Sequence, residues 1–388
     1  MEMKTVKLGD ICVSITDGTH QAPPKTKDGV PFITISNITA DNRLDYSVNT
    51  FVPTDFYESI NDRQKAKIGD ILYSVVGSFG KAVFINENKP FVFQRHIAIL
   101  RPGYDVNNKY LYYILSSPEF YRKADLVALG AAQRTISLKN LRNMEVNLPS
   151  RPVQDKIASI LSAYDDMIDS CKKQIALLEE AAQRLYREWF VDLRFPGHEI
   201  TPIGENGLPE GWQKLFISVP FTIKYGKNLS TKLISQEGRS PVYGASGCIG
   251  YYHTNNVSDY TVLITSRGNS SGRVHRTFHK KSFVTNNSFI VSPKLEYNYI
   301  PLSYIFYSLK NIDLTRFKTG SAQPQLTNAS INNVEYLLPN NSILKTFGII
   351  CDAYLEKIAV LKRLIEQCNV TKSIVLPCLI SGQIEINA

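Results

Sequence analysis

Two segments of the chain repeat apolar residues with an alternating spacing of four and three positions. In the first segment, ten such positions follow one another without a break. A 3.5-residue repeat keeps one stripe of a helix facing a partner helix, as in a coiled coil. The pattern therefore predicts a long helix over 151–190, with Pro152 in its first turn. The residues of this first seam are Ile157, Leu161, Tyr164, Ile168, Cys171, Ile175, Leu178, Ala182, Leu185 and Trp189.

The second segment carries the same spacing near the end of the sequence and predicts a helix over 341–388. Lys372 breaks the pattern, which apolar residues resume around Pro377. Because proline removes a helical hydrogen bond and clashes with the preceding turn, we expect this helix to kink or end there. The residues of this second seam are Phe347, Cys351, Tyr354, Ile358, Leu361, Ile365 and Cys368.

Two seams of similar length in one chain most simply pack against each other. The first spans 33 residues, which is roughly 50 Å of helix at about 1.5 Å per residue. Because that is longer than a small domain, we expect the two helices to pair antiparallel and to separate two globular domains. An alternative in which each helix packs only on its own domain remains open at this point.

The segments outside the two helices form an internal repeat. Residues 130–149 and 320–339 align without a gap at an offset of 190 positions and share seven of 20 residues. The likeness continues backwards more weakly, where the segment from Gly69 resembles the segment from Tyr260. So long a period excludes a solenoid and indicates a duplicated module, each copy a globular domain followed by a helix.

Short strand-like runs and aromatic-rich helical stretches predict that each globular domain has a mixed α/β (α+β) fold. The predicted strands are 31–35, 71–76, 82–85, 97–100, 261–265 and 289–291, and the predicted short helices are 109–116 and 301–309. Several proline and glycine residues mark a linker between the first helix and the second domain. The predicted organisation is a domain at 1–150, a helix at 151–190, a linker at 191–211, a domain at 212–340 and a helix at 341–388.

The formal net charge of +9 is unevenly distributed along the chain. Residues 1–150 carry 18 basic and 15 acidic side chains, and residues 191–340 carry 15 and nine. The two predicted helices are close to neutral. A basic surface attracts polyanions, of which DNA is the commonest, so both globular domains are candidates for DNA binding. A solvated basic face without a partner is the alternative.

Composition and local motifs exclude several other classes of protein. No apolar run approaches the roughly 18–20 residues that cross a bilayer, and the polar start MEMKTVKLGD is unlike a signal peptide. We therefore expect a cytoplasmic protein. Its six cysteines form no C-x-x-C pair, which favours buried, reduced thiols over a metal site or a disulfide framework.

Catalytic signatures are absent from the sequence. It has no phosphate-binding loop, nucleophile elbow, zinc-protease motif or deaminase motif, and it lacks the Asn/Asp-Pro-Pro-aromatic motif of adenine methyltransferases. The six histidines have no evident nucleophile or metal partner along the chain. A chain of this length without a catalytic constellation is more typical of a binding or scaffold protein than of an enzyme.

Residues 260–295, called the basic tract below, contain no acidic residue but several arginines and lysines. Arginine bonds guanine edges and asparagine or glutamine bonds adenine edges in the major groove. A solvated charged hairpin is the alternative interpretation. The DNA-contact candidates of the second copy are Lys227, Lys232, Arg267, Asn269, Ser270, Arg273, Arg276, Asn286, Asn287, Gln323 and Gln325.

The first copy offers candidates at related positions, together with polar residues of its opening segment. Here the alternative is that glutamine and histidine only cap turns. The candidates of the first copy are Thr19, His20, Lys25, Lys27, Ser78, Lys81, Gln94, Arg95, His96, Gln133 and Arg134.

Several stretches of the sequence resemble the DNA-specificity subunits of type I restriction-modification systems. KLGDICVSITDGTHQAP resembles the start of a target recognition domain, and LPEGWQK at 208–214 resembles the start of the second one. QDKIASILSAYDDMID, LYREWFVDLRFPGH and LKTFGIICDAYLEKI resemble the conserved helical regions. The likeness covers essentially the whole chain. The second domain departs at its start, where KLFISVPFTIKYG replaces the more usual K-L-G-D-I, which leaves the alignment near 216–225 open.

The resemblance implies a non-catalytic subunit that reads a split, asymmetric double-stranded DNA sequence, one half per recognition domain. The helices would set the unread spacer and, through their seam residues, dock two methyltransferase subunits. Two restriction/translocase subunits would complete the complex. The chain itself would hold no metal or cofactor, since S-adenosylmethionine would belong to the methyltransferase subunits, and ATP and magnesium to the restriction subunits.

Two other functions stay open at this level. One is a coiled-coil scaffold or interaction protein without sequence-specific DNA binding, and DNA affinity that falls steeply with salt would count against it. The other is an enzyme, such as a nuclease, with an unrecognised site. Metal-dependent cleavage by the purified chain alone would support that alternative.

Overall fold

The structure is a computed structural model, and its description covers residues 2–20, 22–48, 50–130, 134–319 and 325–386. The chain divides into two compact units. Unit 1 comprises Met1–Met167 with Gln367–Ala388, and unit 2 comprises Ile168–Glu366. Each unit therefore contains one globular domain and a part of each long helix, while the finer division at 150, 190, 211 and 340 stays a prediction.

The described residues of unit 1 contain nine short strands in three sheets. The strands are β1 (Lys4–Lys7), β2 (Cys12–Asp17), β3 (Val30–Ile33), β4 (Phe51–Val52), β5 (Ile71–Ser74), β6 (Ala82–Phe84), β7 (Val92–Phe93), β8 (Ile97–Pro102) and β9 (Glu145–Leu148). The largest sheet is antiparallel with the order β2-β8-β5-β6. A second sheet has the order β4-β3-β7, and β1 pairs with β9.

Unit 2 repeats this arrangement with nine strands in its described residues. They are β10 (Gln213–Phe216), β11 (Phe221–Tyr225), β12 (Ser240–Gly244), β13 (Gly247–Tyr252), β14 (Val262–Thr265), β15 (Val274–Arg276), β16 (Phe283–Val284), β17 (Ser288–Pro293) and β18 (Glu335–Leu338). The sheet orders are β11-β17-β14-β15, β13-β12-β16 and β10-β18. Because these orders match those of unit 1 strand for strand, the predicted duplication of an α/β module is confirmed.

Helices connect and cover the sheets. The short ones are α1 (Leu8–Ile11), α2 (Thr54–Ser59), α3 (Asn108–Leu115), α4 (Pro118–Val127), α5 (Leu138–Asn143), α7 (Leu302–Asn311) and α8 (Asn328–Asn332). The long ones are α6 (Arg151–Tyr186), which continues as a π-helical turn over Arg187–Val191, and α9 (Asn341–Ser381). Polar caps fix several starts: the side chains of Asn107, Ser117 and Ser137 each accept a backbone N–H of the helix that follows.

The central strands β5 and β14 are buried along their whole length. This burial explains why they appear in the sequence as short continuous apolar runs rather than as alternating patterns. The predicted strands and the two predicted short helices all lie on elements of the structure, within a few residues at their ends. The two-stranded sheets are different, because β1 pairs with β9 about 140 residues later, and no local pattern marks such a pair.

The seams of the two long helices are buried or half-buried within both units. In unit 1, Ile157 and Leu161 belong to the same core cluster as Leu379 of α9. In unit 2, Trp189 belongs to the same cluster as Phe347. Later residues of α6 therefore accompany earlier residues of α9, and the predicted antiparallel pairing is confirmed.

Lys372, which breaks the apolar pattern of the second seam, occupies a seam position in the structure, where its charge is paired with a carboxylate. Lys372 keeps the four-three spacing, and its Nζ atom contacts Asp165 Oδ1 on α6 while lying 5.0 Å from the centroid of the Tyr113 ring. The Tyr113 hydroxyl donates to the other carboxylate oxygen of Asp165 at 2.7 Å. Burial and this carboxylate together raise the pKa of Tyr113. A lysine is tolerated here because both its charge and its carboxylate partner are bonded.

Of the two outcomes expected at Pro377, a kink or an end of the helix, the end is wrong, since α9 continues to Ser381. Leu376, Leu379 and Ile380 belong to the core of unit 1. Burial of these side chains stabilises the last turn, which offsets the hydrogen bond that proline removes.

Candidate nucleic-acid interface

Three candidate side chains of unit 2 come together from three separate loops. Arg267 follows β14, Asn287 precedes β17, and Gln325 precedes α8. Backbone hydrogen bonds hold the loops together, since Ser266 N donates to Asn287 O and Leu326 N donates to Ser266 O, both at 2.8 Å. Arg267 and Gln325 also form an antiparallel bridge. The tertiary structure thus joins positions that lie up to 58 residues apart in the sequence.

An open cleft of about 460 Å³ lies among these three residues, with Ala245 and Gly268 completing its lining. We call it the Arg267 cleft. The three polar residues are all exposed. Among the described parts of the chain, no carboxylate forms an ion pair with Arg267. The cleft therefore presents a guanidinium and two amides, the groups that bond base edges in the major groove.

Unit 1 has the same arrangement of backbone hydrogen bonds among three loops, which we call the frame, but with other side chains. Val75 N donates to His96 O at 2.9 Å, and Ile136 N donates to Val75 O at 2.9 Å. Val76 and Thr135 form an antiparallel bridge, as Arg267 and Gln325 do in unit 2. The equivalent positions are therefore Val76 and Arg267, His96 and Asn287, and Thr135 and Gln325.

Two of these positions were absent from the sequence-derived candidates. Val76 is apolar and Thr135 is small, so neither is conspicuous in a search for charged or amide side chains. The repeat at an offset of 191 residues aligns Val76 with Arg267. Comparing the two copies position by position, rather than by side-chain type, could have found Val76.

The loops after β2 in unit 1 and after β11 in unit 2 approach the same frame of their own unit. In unit 2, Lys227 N donates to Val284 O and Asn286 N donates to Lys227 O, both at 3.0 Å. In unit 1, Thr19 N donates to Phe93 O at 3.0 Å. Lys227 is exposed, whereas the Thr19 hydroxyl is buried without a partner among the described atoms. The positions correspond, but only unit 2 places a cation there.

Two arginines that the sequence proposed as DNA contacts bind other parts of the protein. Arg276 is partly buried and donates from Nη2 to the Leu355 carbonyl of α9 at 2.7 Å, and burial lowers its pKa. Arg134 forms an ion pair with Asp125, with 2.6 Å between Nη2 and Oδ1. Both guanidinium groups are therefore bonded to groups of their own unit.

The basic tract is therefore divided between two roles. Arg267, just after β14, and Asn287, just before β17, line the Arg267 cleft, whereas Arg276 of β15 and the turn after it contact α9. Arg363 of α9 donates to the Phe278 carbonyl at 2.7 Å, and His279 Nε2 lies 3.2 Å from a carboxylate oxygen of Glu366. The absence of acidic residues within the tract hid these contacts, because the partners lie about 85 residues further along the chain.

The remaining candidates lie on the surface or in partly buried loops. His20 pairs with Asp17 at 2.9 Å, and Lys81 Nζ donates to the Ile38 carbonyl at 3.2 Å. Gln133 and Gln323 lie outside the described residues. The other exposed candidates are Lys25, Lys27, Ser78, Arg95, Lys232, Asn269 and Arg273, and the other partly buried ones are Gln94, Ser270 and Asn286.

His275 lies within the basic tract but does not add to its charge at neutral pH. Its Nε2 atom is 3.4 Å from the Ser288 hydroxyl. Burial, with a smaller contribution from Arg273, lowers the pKa of His275 from 6.5 to about 4. The imidazole is therefore neutral near pH 7.

We expect His275 to make the folded protein sensitive to acid. Because the unfolded chain binds this proton more readily, the contribution is complete above about pH 6.5 and is lost as the pH falls towards 4. Between pH 7.5 and 5.0 this group should cost about 2 kcal/mol of unfolding free energy. Urea unfolding at both pH values should show that the free energy of unfolding falls less on acidification for His275→Asn than for the unmodified protein. The exposed His253→Asn serves as control. An equal fall in the free energy of unfolding in all three proteins would contradict the role of His275.

The described part of the chain offers neither a metal site nor a membrane span. It holds no group of three or more His, Cys, Asp or Glu side chains that could bind a metal ion. None of its helices is both long enough and apolar enough to cross a membrane.

Comparisons with known proteins agree with the duplicated architecture. Residues 1–180 and 209–369 match the family model described as "Type I restriction modification DNA specificity domain". The type I restriction enzyme MjaIX specificity subunit of Methanocaldococcus jannaschii is 25% identical over 310 residues, covering 74% of this chain and 71% of the relative. The putative MjaX specificity subunit of the same organism is 29% identical over 243 residues, covering 60% of this chain and 56% of that relative. The crystal structure of a type I restriction-modification system S subunit from M. genitalium has the same fold, with a TM-score of 0.67 and 17% identity over 100% of this chain and 97% of that one.

Proposed function

Because the chain belongs to the family of type I restriction-modification DNA specificity domains, we propose that it is the DNA-specificity subunit of such a complex. Each recognition domain reads one half of a bipartite DNA target. One observation carries this proposal: the two units share a backbone frame but present different side chains at equivalent positions. Since the readers differ, the two half-sites differ, and the target is asymmetric.

Charge supports DNA as the ligand of both domains. The excess of basic residues lies in 1–150 and 191–340, the ranges that contain the two frames. Exposed lysines, such as Lys25 and Lys27 in unit 1 and Lys227 next to the frame of unit 2, would contact phosphates and position the DNA. Side chains of the frames would then contact base edges and supply the specificity.

The proposed subunit is non-catalytic and acts through partner subunits. We place the complex in the cytoplasm, because its DNA target is found there. It docks two methyltransferase subunits, which hold S-adenosylmethionine, and the complete complex adds two restriction subunits that use ATP and magnesium. The seam residues are buried in the pairing of α6 and α9, so we place the docking on the outer faces of these helices. Exposed apolar residues there include Met167 and Leu177 on α6, and Val370 and Ile374 on α9.

Genome-wide adenine methylation tests the proposed function. Cells that carry the chain with its cognate methyltransferase subunits should methylate a split, asymmetric motif, and cells without the chain should lose that methylation. Unchanged methylation in cells where the folded chain is the only component removed would contradict the proposal.

Salt dependence separates the proposal from a coiled-coil scaffold. Binding of the chain with its methyltransferase subunits to DNA should weaken as salt rises, because lysine contacts displace counterions from phosphates. Salt-independent or absent DNA binding would favour the scaffold. DNA cleavage by the purified chain with a metal ion alone would favour an enzyme instead.

A further inference from the structure

We infer that the Arg267 cleft reads purines in the DNA half-site bound by unit 2, with Arg267 bonding a guanine and the Asn287 and Gln325 amides bonding adenine. This inference rests on the proposed function and adds which residues select which bases. The half-site bound by unit 1 is read at the same three positions by different side chains.

The chemistry of the three side chains selects the bases. A guanidinium can donate two hydrogen bonds to O6 and N7 of guanine, and an asparagine or glutamine amide can bond N6 and N7 of adenine. All three side chains are exposed around one cleft. Among the described residues, none supplies a carboxylate that pairs with Arg267, so its guanidinium can bind a base without first breaking an ion pair.

The backbone beneath Arg267 is held firmly, which suits a side chain that must meet a base in one register. Gly272 N donates to Thr265 O at 2.8 Å and closes the loop after β14. The buried Ser271 hydroxyl donates to the Ser266 carbonyl at 3.1 Å. The Thr265 hydroxyl donates to the carbonyl of Ala245, another residue of the cleft lining, at 2.9 Å. Both ends of the loop are thus bonded, and the Arg267 side chain extends from a preorganised turn.

Unit 1 supplies an internal comparison. Its frame has the same hydrogen bonds, but Val76 stands in place of Arg267 and cannot donate to a guanine. An apolar side chain is suited instead to the methyl group of thymine. The difference in side chains on one frame identifies these positions as the ones that distinguish the two half-sites.

The test is the methylation motif produced by variants of the full chain with its methyltransferase subunits. Arg267→Ala should lower the preference for guanine at one position of one half-site by about 10-fold, and leave the other half-site unchanged. Asn287→Ala and Gln325→Ala should relax an adenine position of the same half-site. Arg194→Ala is the matched control, because this exposed arginine lies outside the cleft and pairs with Asp192, and it should leave the motif unchanged.

A second variant guards against misfolding. Arg267→Val introduces the side chain that unit 1 carries at the equivalent position, and its thermal unfolding should match that of the unmodified protein. Loss of the guanine requirement in this folded variant supports the inference. A motif that is unaltered in Arg267→Val, and also in a variant that combines Arg267→Ala, Asn287→Ala and Gln325→Ala, overturns the inference while the proposed function stands. Absence of any split motif with the unmodified chain instead overturns the proposed function.

Discussion

Replacing Phe347 with alanine is expected to lower the free energy of unfolding by about 3–5 kcal/mol. The side chain is fully buried at the start of α9. Its ring centroid lies 5.0 Å from that of Phe190 and 5.9 Å from that of Trp189, at the end of α6. It also lies 6.3 Å from the ring of Tyr304 on α7. The substitution leaves a cavity where both long helices meet the globular part of unit 2.

Tryptophan fluorescence during urea unfolding measures this effect directly. Both tryptophans of the chain, Trp189 and Trp212, belong to the same core cluster as Phe347. Ile349→Ala is the control, because this residue is on the same helix but 70% exposed, and it should change the stability by less than about 0.5 kcal/mol. Equal losses in the two variants would show that Phe347 does not hold the helices together.

Replacing Gly226 with alanine is expected to cost about 3 kcal/mol of stability in unit 2 and to impair reading of its half-site. A Cβ atom at this position would overlap the carbonyl oxygens of Val284 and Thr285. These are backbone atoms of β16 and the turn after it, which cannot rotate away as a side chain can. The end of β11, which Gly226 follows, would have to move away from the turn that carries Asn287. The expected signs are a lower urea midpoint and weaker binding to DNA that contains the half-site of unit 2.

Gly197→Ala is a suitable control for this variant. Gly197 has a positive φ of 86° but no atom within 4 Å of an added Cβ. Its substitution should therefore cost only the backbone strain of about 1–2 kcal/mol and leave DNA binding unchanged. If Gly226→Ala were no more destabilising than Gly197→Ala, the close approach would be unimportant.

Gly226 also resolves an alignment that the sequence leaves open. Gly18 of unit 1 would place a Cβ atom against the Phe93 carbonyl, as Gly226 would against that of Val284. Gly18 N donates to Ile97 O at 3.3 Å, and Gly226 N donates to Ser288 O at 3.0 Å. The two glycines are thus equivalent, at an offset of 208 residues rather than 190. Insertions between the early and late parts of the domains changed the offset, so no single period could align them.

The candidate DNA contacts were only partly predictable. Arg267, Asn287 and Gln325 were selected by residue type within basic or repeated segments, and the fold gathers them around one cleft. The same criterion also selected Arg276 and Arg134, which bind Leu355 and Asp125. Residue type shows which groups a side chain can bond. Whether the side chain is already bonded to another part of the protein depends on the fold.

The sequence by itself determined the duplicated α/β module, the short strands of each core and the two long helices with their buried seams. These features follow from the spacing of apolar residues and from repeated sequence segments, both of which are visible in the linear sequence. Only the tertiary structure decided that Lys372 belongs to the seam, that α9 continues past Pro377 and which arginines remain free. Those outcomes depend on side chains such as Asp165 and Leu379, which contacts between distant segments bring together, and the free energy of such contacts is not visible in any local pattern.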